Sequence, residues 1–479
     1  MRVFRRVLVG ECAAGIERID RGGIEADLGQ DRAIVFTESR QGQPRRARFS
    51  AELQWRADVL ATALVEQAHV ARRGLRFVER FAQVVDRREA DIFAVKPLDP
   101  STLAVRAGLE SDPSTGAVVP PIHLSSTYAF EKFGVKGKYD YSRSGNPTRD
   151  LLADALNRLE GGAGAVVTST GMSAISLVGA VIPRGKRIVA PHDCYGGTFR
   201  LFNAWGQRGD FEVEFVNFGD EAALTAALSR PAGLVWIETP SNPLLRITDV
   251  AAIAARAQAI GAKAAVDNTF LSPVLQNPLA LGADFVVHST TKYLNGHSDI
   301  VGGAVIAQHA EDLQQLAWWA NCLGITGSPF DSFMTLRGIR TLHARMAIHE
   351  RNANELANWL VSQKGVRRVF YPGLAQHPGH ALAARQQRGF GAIVSLELEG
   401  GSPAVERFAA NLQLFSLAES LGGVESLIAH PATMTHAAMA PEARAKAGLT
   451  DGLVRLSIGI EAVEDLRADL AAGVAALAR

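Results

Sequence analysis

The feature that most constrains the fold is an alternation of short apolar runs with helical segments, which begins near residue 98. The apolar runs predict buried strands at 164–168, 187–190, 234–238, 264–267, 285–288 and 302–307. Helical periodicity lies between them, at 149–159, 172–181, 221–228 and 250–260. Strands separated by helices predict a mostly parallel sheet covered on both faces, the α/β class. Ligands bind beyond the carboxyl ends of such strands, so reactive side chains are expected there.

The chain changes character at both ends of this region. After a long helical stretch to about residue 360, strands at 367–371, 392–398 and 453–458 alternate with helices at 403–412 and from 462. This pattern predicts a smaller α+β domain. Residues 1–97 are rich in Arg and poor in strand patterns, with one candidate helix at 51–82. We predict an extension at 1–97, either poorly ordered or an accessory region, an arm at 98–155, a large domain at 156–345 and a C-terminal domain at 346–479.

Charge and cysteine content exclude several classes of protein. The net charge of +1 lacks the basic excess typical of a nucleic-acid binder. The longest uncharged stretch, 161–183, is interrupted by Gly, Ser and Thr, so no membrane span is expected. Three widely spaced cysteines suit a reducing compartment, and we expect a cytoplasmic protein. His377 and His380 have no third ligand in view, so no metal site is predicted.

Two strand ends carry side chains suited to a cofactor with an aldehyde and a basic ring nitrogen. Lys292 follows the strand at 285–288 and is flanked by Ser289 and Thr291. A lysine with a lowered pKa can form a Schiff base, and both hydroxyls can face a phosphate. Asp267 closes another strand, where it can pair with a protonated pyridine nitrogen. The alternatives are a lysine that extends to solvent and an Asp that caps a helix.

Three further motifs complete the set. Gly171 and Met172 open a helix after a strand, where unpaired N–H groups can bind an anion, although such turns are common. Tyr195 stands beside two glycines and can stack on a planar cofactor, unless it is simply buried in a turn. Arg455, within an apolar strand, fits a carboxylate bidentately, unless it belongs to a structural ion pair. Together these motifs predict a pyridoxal phosphate site.

Longer stretches carry a family resemblance. They lie at 119–128, 141–148, 238–243, 289–298 and 418–427. With these motifs the chain, from about Thr102 to its end, resembles the Cys/Met-metabolism family of pyridoxal-phosphate (PLP) enzymes of fold type I. This resemblance implies a mostly parallel central sheet, a smaller C-terminal domain, amino-acid substrates and a homotetramer built from two dimers.

The resemblance also implies residue roles. Lys292 and Tyr195 would be catalytic, with Lys292 holding the cofactor and shuttling protons and Tyr195 stacking on the ring. Further cofactor contacts would come from Asp267, Gly171, Met172, Ser289 and Thr291, and from Tyr141 and Arg143 reaching the phosphate in a neighbouring subunit. Substrate would be held by Arg455, Asn242, Glu419 and Ser420.

The branch of the family is indicated by other segments. Residues 317–321, 384–391 and 434–444 resemble the bacterial cystathionine γ-synthases, and Glu419 disfavours β-lyases. Some bacterial synthases have a second Arg directly after the residue that matches Arg143, and that Arg could bind a succinyl carboxylate. Here the position is Ser144, a serine as in many γ-lyases, so the identity of the acyl group stays open. Arg200 is a candidate source of the missing positive charge. The implied reaction joins L-cysteine to an O-acylhomoserine, with succinyl as the expected acyl group. A γ-lyase is the alternative, and an O-acylhomoserine sulfhydrylase or a non-catalytic PLP-binding protein ranks below it.

Overall fold

The computed structural model describes residues 16–20, 23–28, 31–36, 98–437 and 441–478. The chain divides into two units, Met1–Pro97 and Leu98–Arg479. The first unit contains an antiparallel sheet whose strands are paired in chain order: β1 (Ile16–Asp20), β2 (Gly23–Leu28) and β3 (Asp31–Phe36). The sequence analysis predicted no strands here, which is wrong. The missed signal is the alternation of Ile24, Ala26 and Leu28 with polar residues. The predicted helix at 51–82 lies outside the described residues.

The second unit contains a seven-stranded sheet with the spatial order β4-β10-β9-β8-β7-β5-β6. Strand β10 is antiparallel to both its neighbours, and the remaining pairs are parallel. The strands are β4 (Gly164–Thr168), β5 (Arg187–Pro191), β6 (Glu212–Val216), β7 (Leu234–Glu238), β8 (Lys263–Asp267), β9 (Phe285–His288) and β10 (Gly303–Ala307). The mostly parallel α/β sheet that the sequence predicts is therefore confirmed.

Helices cover both faces of this sheet, so side chains of successive strand residues enter different cores. In β7, Leu234 and Trp236 belong to one core, whereas Val235 and Ile237 belong to the other. The helices of this region are α1 (Pro100–Val105), α2 (Pro147–Glu160), α3 (Gly171–Val181), α4 (Gly196–Arg208), α5 (Glu221–Ala227), α6 (Val250–Ala259), α7 (Ser272–Leu275), α8 (Ala310–Leu323), α9 (Pro329–Ile339) and α10 (Leu342–Leu360), with a 3₁₀ turn at Pro278–Leu281.

Local sequence explains where these helices begin and end. Helix α2 starts after Asn146, whose side-chain oxygen accepts hydrogen bonds from the N–H groups of Thr148 and Arg149, with Pro147 in the first turn. It ends at Gly161, which adopts a left-handed φ of 81° that a residue with a Cβ rarely takes. The helix is thereby fixed at both ends. Its last residue, Glu160, is held against the face of the sheet where it contacts His288 of β9.

A smaller C-terminal sheet has the order β11-β12-β15-β14-β13, and only the β13–β14 pair is parallel. Its strands are β11 (Val366–Phe370), β12 (Ile393–Leu398), β13 (Ser416–Leu417), β14 (Leu427–Ala429) and β15 (Leu453–Ser457). Its helices are α11 (His380–Gln386), α12 (Gly401–Ala410), α13 (Pro441–Ala447) and α14 (Val463–Ala475), followed by a 3₁₀ turn at Ala476–Ala478. The predicted smaller α+β part is confirmed, whereas the proposed boundaries after 155 and 345 stay predictions.

Most predicted strands agree with the structure to within one residue at each end. Strand β6 was missed, because Glu212 and Glu214 interrupt its apolar residues and it lies at the edge of the sheet. No helix among the described residues is long and apolar enough to cross a membrane.

Candidate active site

Lys292 lies in the turn that follows β9. Its Nζ donates a hydrogen bond of 2.7 Å to Ser420 Oγ, from the loop between β13 and β14. Burial and the nearby charge of Arg455 lower the pKa of Lys292 to about 8, and Glu419 opposes that shift. The amine is therefore held inside the protein with a pKa suited to proton transfer, and it does not extend to solvent.

Asp267 closes β8 and faces the same region. Its Oδ1 accepts a 3.0 Å hydrogen bond from the N–H of Thr269. The next helix, α7, is capped by Leu271, so the alternative that Asp267 caps a helix is wrong. Burial raises the pKa of this carboxyl. No Lys or Arg in the described part of the chain forms an ion pair with it, so it offers its charge to a cationic ligand.

The start of α3 forms a cradle for an anion. Thr170 caps the helix by accepting from the N–H of Ser173, while the N–H groups of Gly171 and Met172 are in the first turn, where helices have no internal acceptor. A Cβ on Gly171 would stand 2.8 Å from the Cβ of Ser289, so glycine permits this contact. Ser289 thus lies against the helix start, whereas the Oγ1 of Thr291 accepts a 3.0 Å hydrogen bond from the N–H of Gly302.

Tyr195 precedes α4 and is 40% exposed, so the alternative of a buried turn residue is wrong. Its N–H donates a 2.7 Å hydrogen bond to Glu238 Oε2. Gly197 packs closely on the phenol ring, because an added Cβ would come within 2.5 Å of Tyr195 Cε1. The backbone of Tyr195 is fixed while its ring is partly open, an arrangement that suits stacking on a planar ligand.

Arg455 lies in β15 and is only 3% exposed. Its Nη1 donates to Asn242 Oδ1 at 3.0 Å, and its Nη2 donates to the carbonyl of Ser420 at 2.7 Å. Its buried Nε has no hydrogen-bond partner. Burial lowers the pKa of Arg455 to about 10. Since neither partner is charged, the alternative of a structural ion pair is wrong, and the guanidinium can take a carboxylate.

The contacts of Tyr141 and Arg143 are with residues outside this cluster. Arg143 stands 5.6 Å over the ring of Tyr141, and its Nη1 donates to the side-chain and backbone oxygens of Asn321 at 2.8 and 2.9 Å. Tyr141 is 49% exposed. Their predicted contact with a neighbouring subunit's cofactor stays a prediction.

Two buried acids near the site were missed from the sequence. Glu238 closes β7 beside Asp267, and its Oε1 accepts a 3.0 Å hydrogen bond from Trp236 Nε1. On the opposite face of the sheet, Glu160 Oε1 pairs with His288 Nε2 at 2.7 Å and accepts from Asn268 Nδ2 at 2.9 Å. Glu160 therefore holds the residue after Asp267 and the residue before Ser289. The available signal for Glu238 was the rule that had identified Asp267, a carboxylate at a strand end.

Comparison with known proteins identifies the family. Residues 101–475 match the family model described as Cys/Met metabolism PLP-dependent enzyme. The chain belongs to this family. Cystathionine gamma-synthase of Escherichia coli is 58% identical over 374 residues, which are 78% of this chain and 97% of the relative.

Other members of this PLP-dependent family extend the comparison. A crystal structure of cystathionine gamma synthase from Xanthomonas oryzae in complex with cystathionine has a TM-score of 0.79 and 61% identity, over 80% of this chain and 99% of that one. Cystathionine gamma-lyase of Dictyostelium discoideum is 44% identical over 77% of this chain and 97% of the relative. The matches thus include both synthases and lyases, with the lyase at lower identity.

The residues present fit pyridoxal phosphate, the cofactor of this family. Asp267 provides a carboxylate without a cationic partner among the described residues, as a protonated ring nitrogen requires. The start of α3 and Ser289 provide donors for a phosphate, and Gly171 lets Ser289 lie against the helix start. Lys292 provides an amine with a lowered pKa for the aldehyde.

Proposed function

We propose that the chain is a cystathionine γ-synthase, which joins L-cysteine to an O-acylhomoserine, with succinyl as the acyl group, and releases the carboxylic acid. The observation that carries the proposal is the 58% identity to a cystathionine gamma-synthase over almost the whole of that relative, together with a full set of site residues. A place in methionine biosynthesis and transsulfuration follows from this reaction.

When bound, pyridoxal phosphate supplies the electron sink that makes the Cα and Cβ protons of an amino acid removable. Lys292 supplies the base: its Nζ takes the Cα proton of the substrate and later returns a proton to carbon. A pKa of about 8 lets this amine exist in both protonation states near neutral pH. Ser420 Oγ holds Nζ at 2.7 Å and thereby directs it.

The substrate is held by the groups around Arg455. Its guanidinium binds the α-carboxylate, and Asn242 and Ser420 keep the guanidinium plane in place. Glu419 adds a negative charge that acts on Lys292 and Arg455. Once the acyl group has left Cγ, the sulfur of cysteine takes its position, and Lys292 returns the protons removed earlier.

A γ-lyase is the second candidate, and Ser144 favours it. The Oγ of Ser144 lies 2.8 Å from Asp140 Oδ1 and 2.7 Å from the carbonyl oxygen of Tyr141, and it donates its one proton to these two acceptors. This position therefore offers no cation to a succinyl carboxylate. Arg200, on α4, acts electrostatically on Tyr195 and is the candidate for that charge.

Product analysis separates the two candidates. Purified holoenzyme is incubated with O-succinylhomoserine, with and without cysteine, and with cystathionine alone, while cystathionine and 2-oxobutyrate are followed. Rapid cystathionine formation only when both substrates are present supports the synthase. Rapid breakdown of cystathionine to 2-oxobutyrate and cysteine, with little synthesis, supports the lyase. The Lys292→Ala variant is the blank for both reactions.

We further propose a cytoplasmic homotetramer built from two dimers, in which Tyr141 and Arg143 contact the cofactor phosphate of the neighbouring subunit. The arm at 98–155 supports association, because it exposes apolar side chains such as Leu124, at 72%, and a fully exposed Phe133. Buried Cys194 and exposed Cys322 are both free thiols, in keeping with a reducing compartment. Sedimentation equilibrium gives the subunit number, and a monomer would contradict the proposal.

A further inference from the structure

Two acidic residues lie side by side at the end of the central sheet. Glu238 closes β7 and Asp267 closes β8, and the two residues are register partners in adjacent parallel strands. The backbones of neighbouring strands are about 4.8 Å apart. Trp236 and Ala265, two positions earlier in each strand, both enter the same core. Because side chains alternate along a strand, Glu238 and Asp267 face the same side of the sheet and lie next to each other.

No cation separates these carboxyl groups in the described part of the chain. Glu238 accepts hydrogen bonds from the N–H of Tyr195 at 2.7 Å and from Trp236 Nε1 at 3.0 Å, and Asp267 accepts from the N–H of Thr269. The titratable groups that face the pair from other elements are few. They are Cys194 and Tyr195, from the segment before α4, whose pKa values are raised by burial and also by the charge of Glu238. His288 of β9 points to the opposite face of the sheet, and its charge acts on Asp267 from there.

Two adjacent buried carboxyl groups strongly resist double ionisation. Burial, followed by the charge of Asp267, raises the pKa of Glu238 to about 8. Burial also raises the pKa of Asp267, but the hydrogen bonds from Thr269, and then the charge of His288, favour its ionised form. Near pH 7 without cofactor, the pair therefore holds one proton, and it resides on Glu238. The pair then carries a net charge of −1.

We propose that Glu238 stores a proton that leaves the pair when pyridoxal phosphate binds. A protonated ring nitrogen facing Asp267 brings a positive charge, which removes the electrostatic barrier to ionising Glu238. The Glu238 proton passes through Asp267 to an unprotonated ring nitrogen, or to solvent when the ring arrives protonated. The resulting carboxylate of Glu238 is held by the N–H donors of Tyr195 and Trp236. The cluster keeps a net charge of −1, because two carboxylates then face one cation.

The proposal makes Glu238 a positioning residue, which holds Tyr195 and tunes Asp267 without touching the cofactor. It rests on the assignment of Asp267 to the ring nitrogen within the proposed function. It does not depend on whether the enzyme is a synthase or a lyase. A failure in the product assay above therefore leaves this proposal standing, and the reverse also holds.

The test is the number of protons released when apoenzyme binds pyridoxal phosphate at pH 7. Isothermal titration calorimetry in two buffers of different ionisation enthalpy gives this number for the wild type and for Glu238→Gln. Protons exchanged by Lys292 are common to both proteins. We expect the wild type to release about one proton per site more than Glu238→Gln, which has no proton to lose at this position. Equal proton numbers would overturn the proposal.

Glu350→Gln is the matched control. Glu350 is another carboxyl whose pKa burial raises, and it accepts a hydrogen bond from the N–H of Phe390. We expect this variant to release as many protons as the wild type. An infrared difference spectrum of the wild type, apoenzyme against holoenzyme, provides a measurement that needs no variant. Loss of a protonated-carboxyl C=O band on binding supports the proposal, and an unchanged band would overturn it even if Glu238→Gln fails to fold.

Discussion

Replacing Arg455 by Lys is a sharp test of the substrate site, because it keeps the charge and removes the planar fork. The native guanidinium is oriented by Asn242 and by the Ser420 carbonyl, and it makes no ion pair with any described residue. A carboxylate bound bidentately gains two charge-assisted hydrogen bonds, each of about 1.5–3 kcal/mol. Lysine is a compact point charge and can replace only one of them.

We therefore expect Arg455→Lys to lose about 1.5–3 kcal/mol of substrate binding in the transition state, or about 10- to 150-fold in kcat/KM for the O-acylhomoserine. The visible absorption of the bound cofactor should not change, because Arg455 is not among its proposed contacts. The assay is steady-state kinetics with cysteine held saturating. A variant within threefold of the wild type, or one that loses cofactor instead of substrate affinity, would refute the assignment of Arg455 to the carboxylate.

Three other predictions test separate parts of the account. Lys292→Ala should abolish turnover together with the visible absorption of the lysine-bound cofactor. The control is Lys186→Ala, at an exposed lysine before β5, which should leave both unchanged. An active, yellow Lys292→Ala protein would disprove the assignment. Ser420→Ala removes the acceptor that favours protonated Lys292, so the pKa of the Lys292 amine should fall further below its ordinary value. The acid limb of the kcat profile, which reports the enzyme with substrate bound, should move to lower pH, and a shift to higher pH would contradict this reading. Glu160→Ala should lower the free energy of unfolding in urea by about 3–5 kcal/mol, because it leaves His288 and Asn268 buried without their shared partner; a loss under about 1 kcal/mol would show that the network adds little.

The strand ends that carry Lys292 and Asp267 could be predicted because each follows an apolar run that only a buried strand explains. Arg455 could be predicted for the same reason, as a cation within an apolar strand. Strand β6, at the edge of the sheet, was missed because Glu212 and Glu214 alternate with Val213 and Phe215 and leave no continuous apolar run. Alternation of apolar and polar residues is the signal of a half-buried strand, and a search for continuous apolar runs passes over it.

Contacts between distant parts of the chain were also beyond the sequence. The partner of His288 is Glu160, 128 residues earlier. Glu238 becomes significant only when strand register places it beside Asp267. Neither local propensity nor residue spacing contains that register, since it is set by how the sheet assembles. Residues that act through another residue are therefore the hardest part of this site to predict.

The central claim is that the site replaces the γ-substituent of an O-acylhomoserine with cysteine, in preference to breaking cystathionine down. The most direct test is the ratio of two initial rates measured on the same holoenzyme preparation. One is cystathionine formation from O-succinylhomoserine and cysteine, and the other is 2-oxobutyrate formation from cystathionine. The account predicts that synthesis is the faster by at least about tenfold, a difference of about 1.4 kcal/mol in barrier height. Faster breakdown would contradict the account and make the enzyme a γ-lyase.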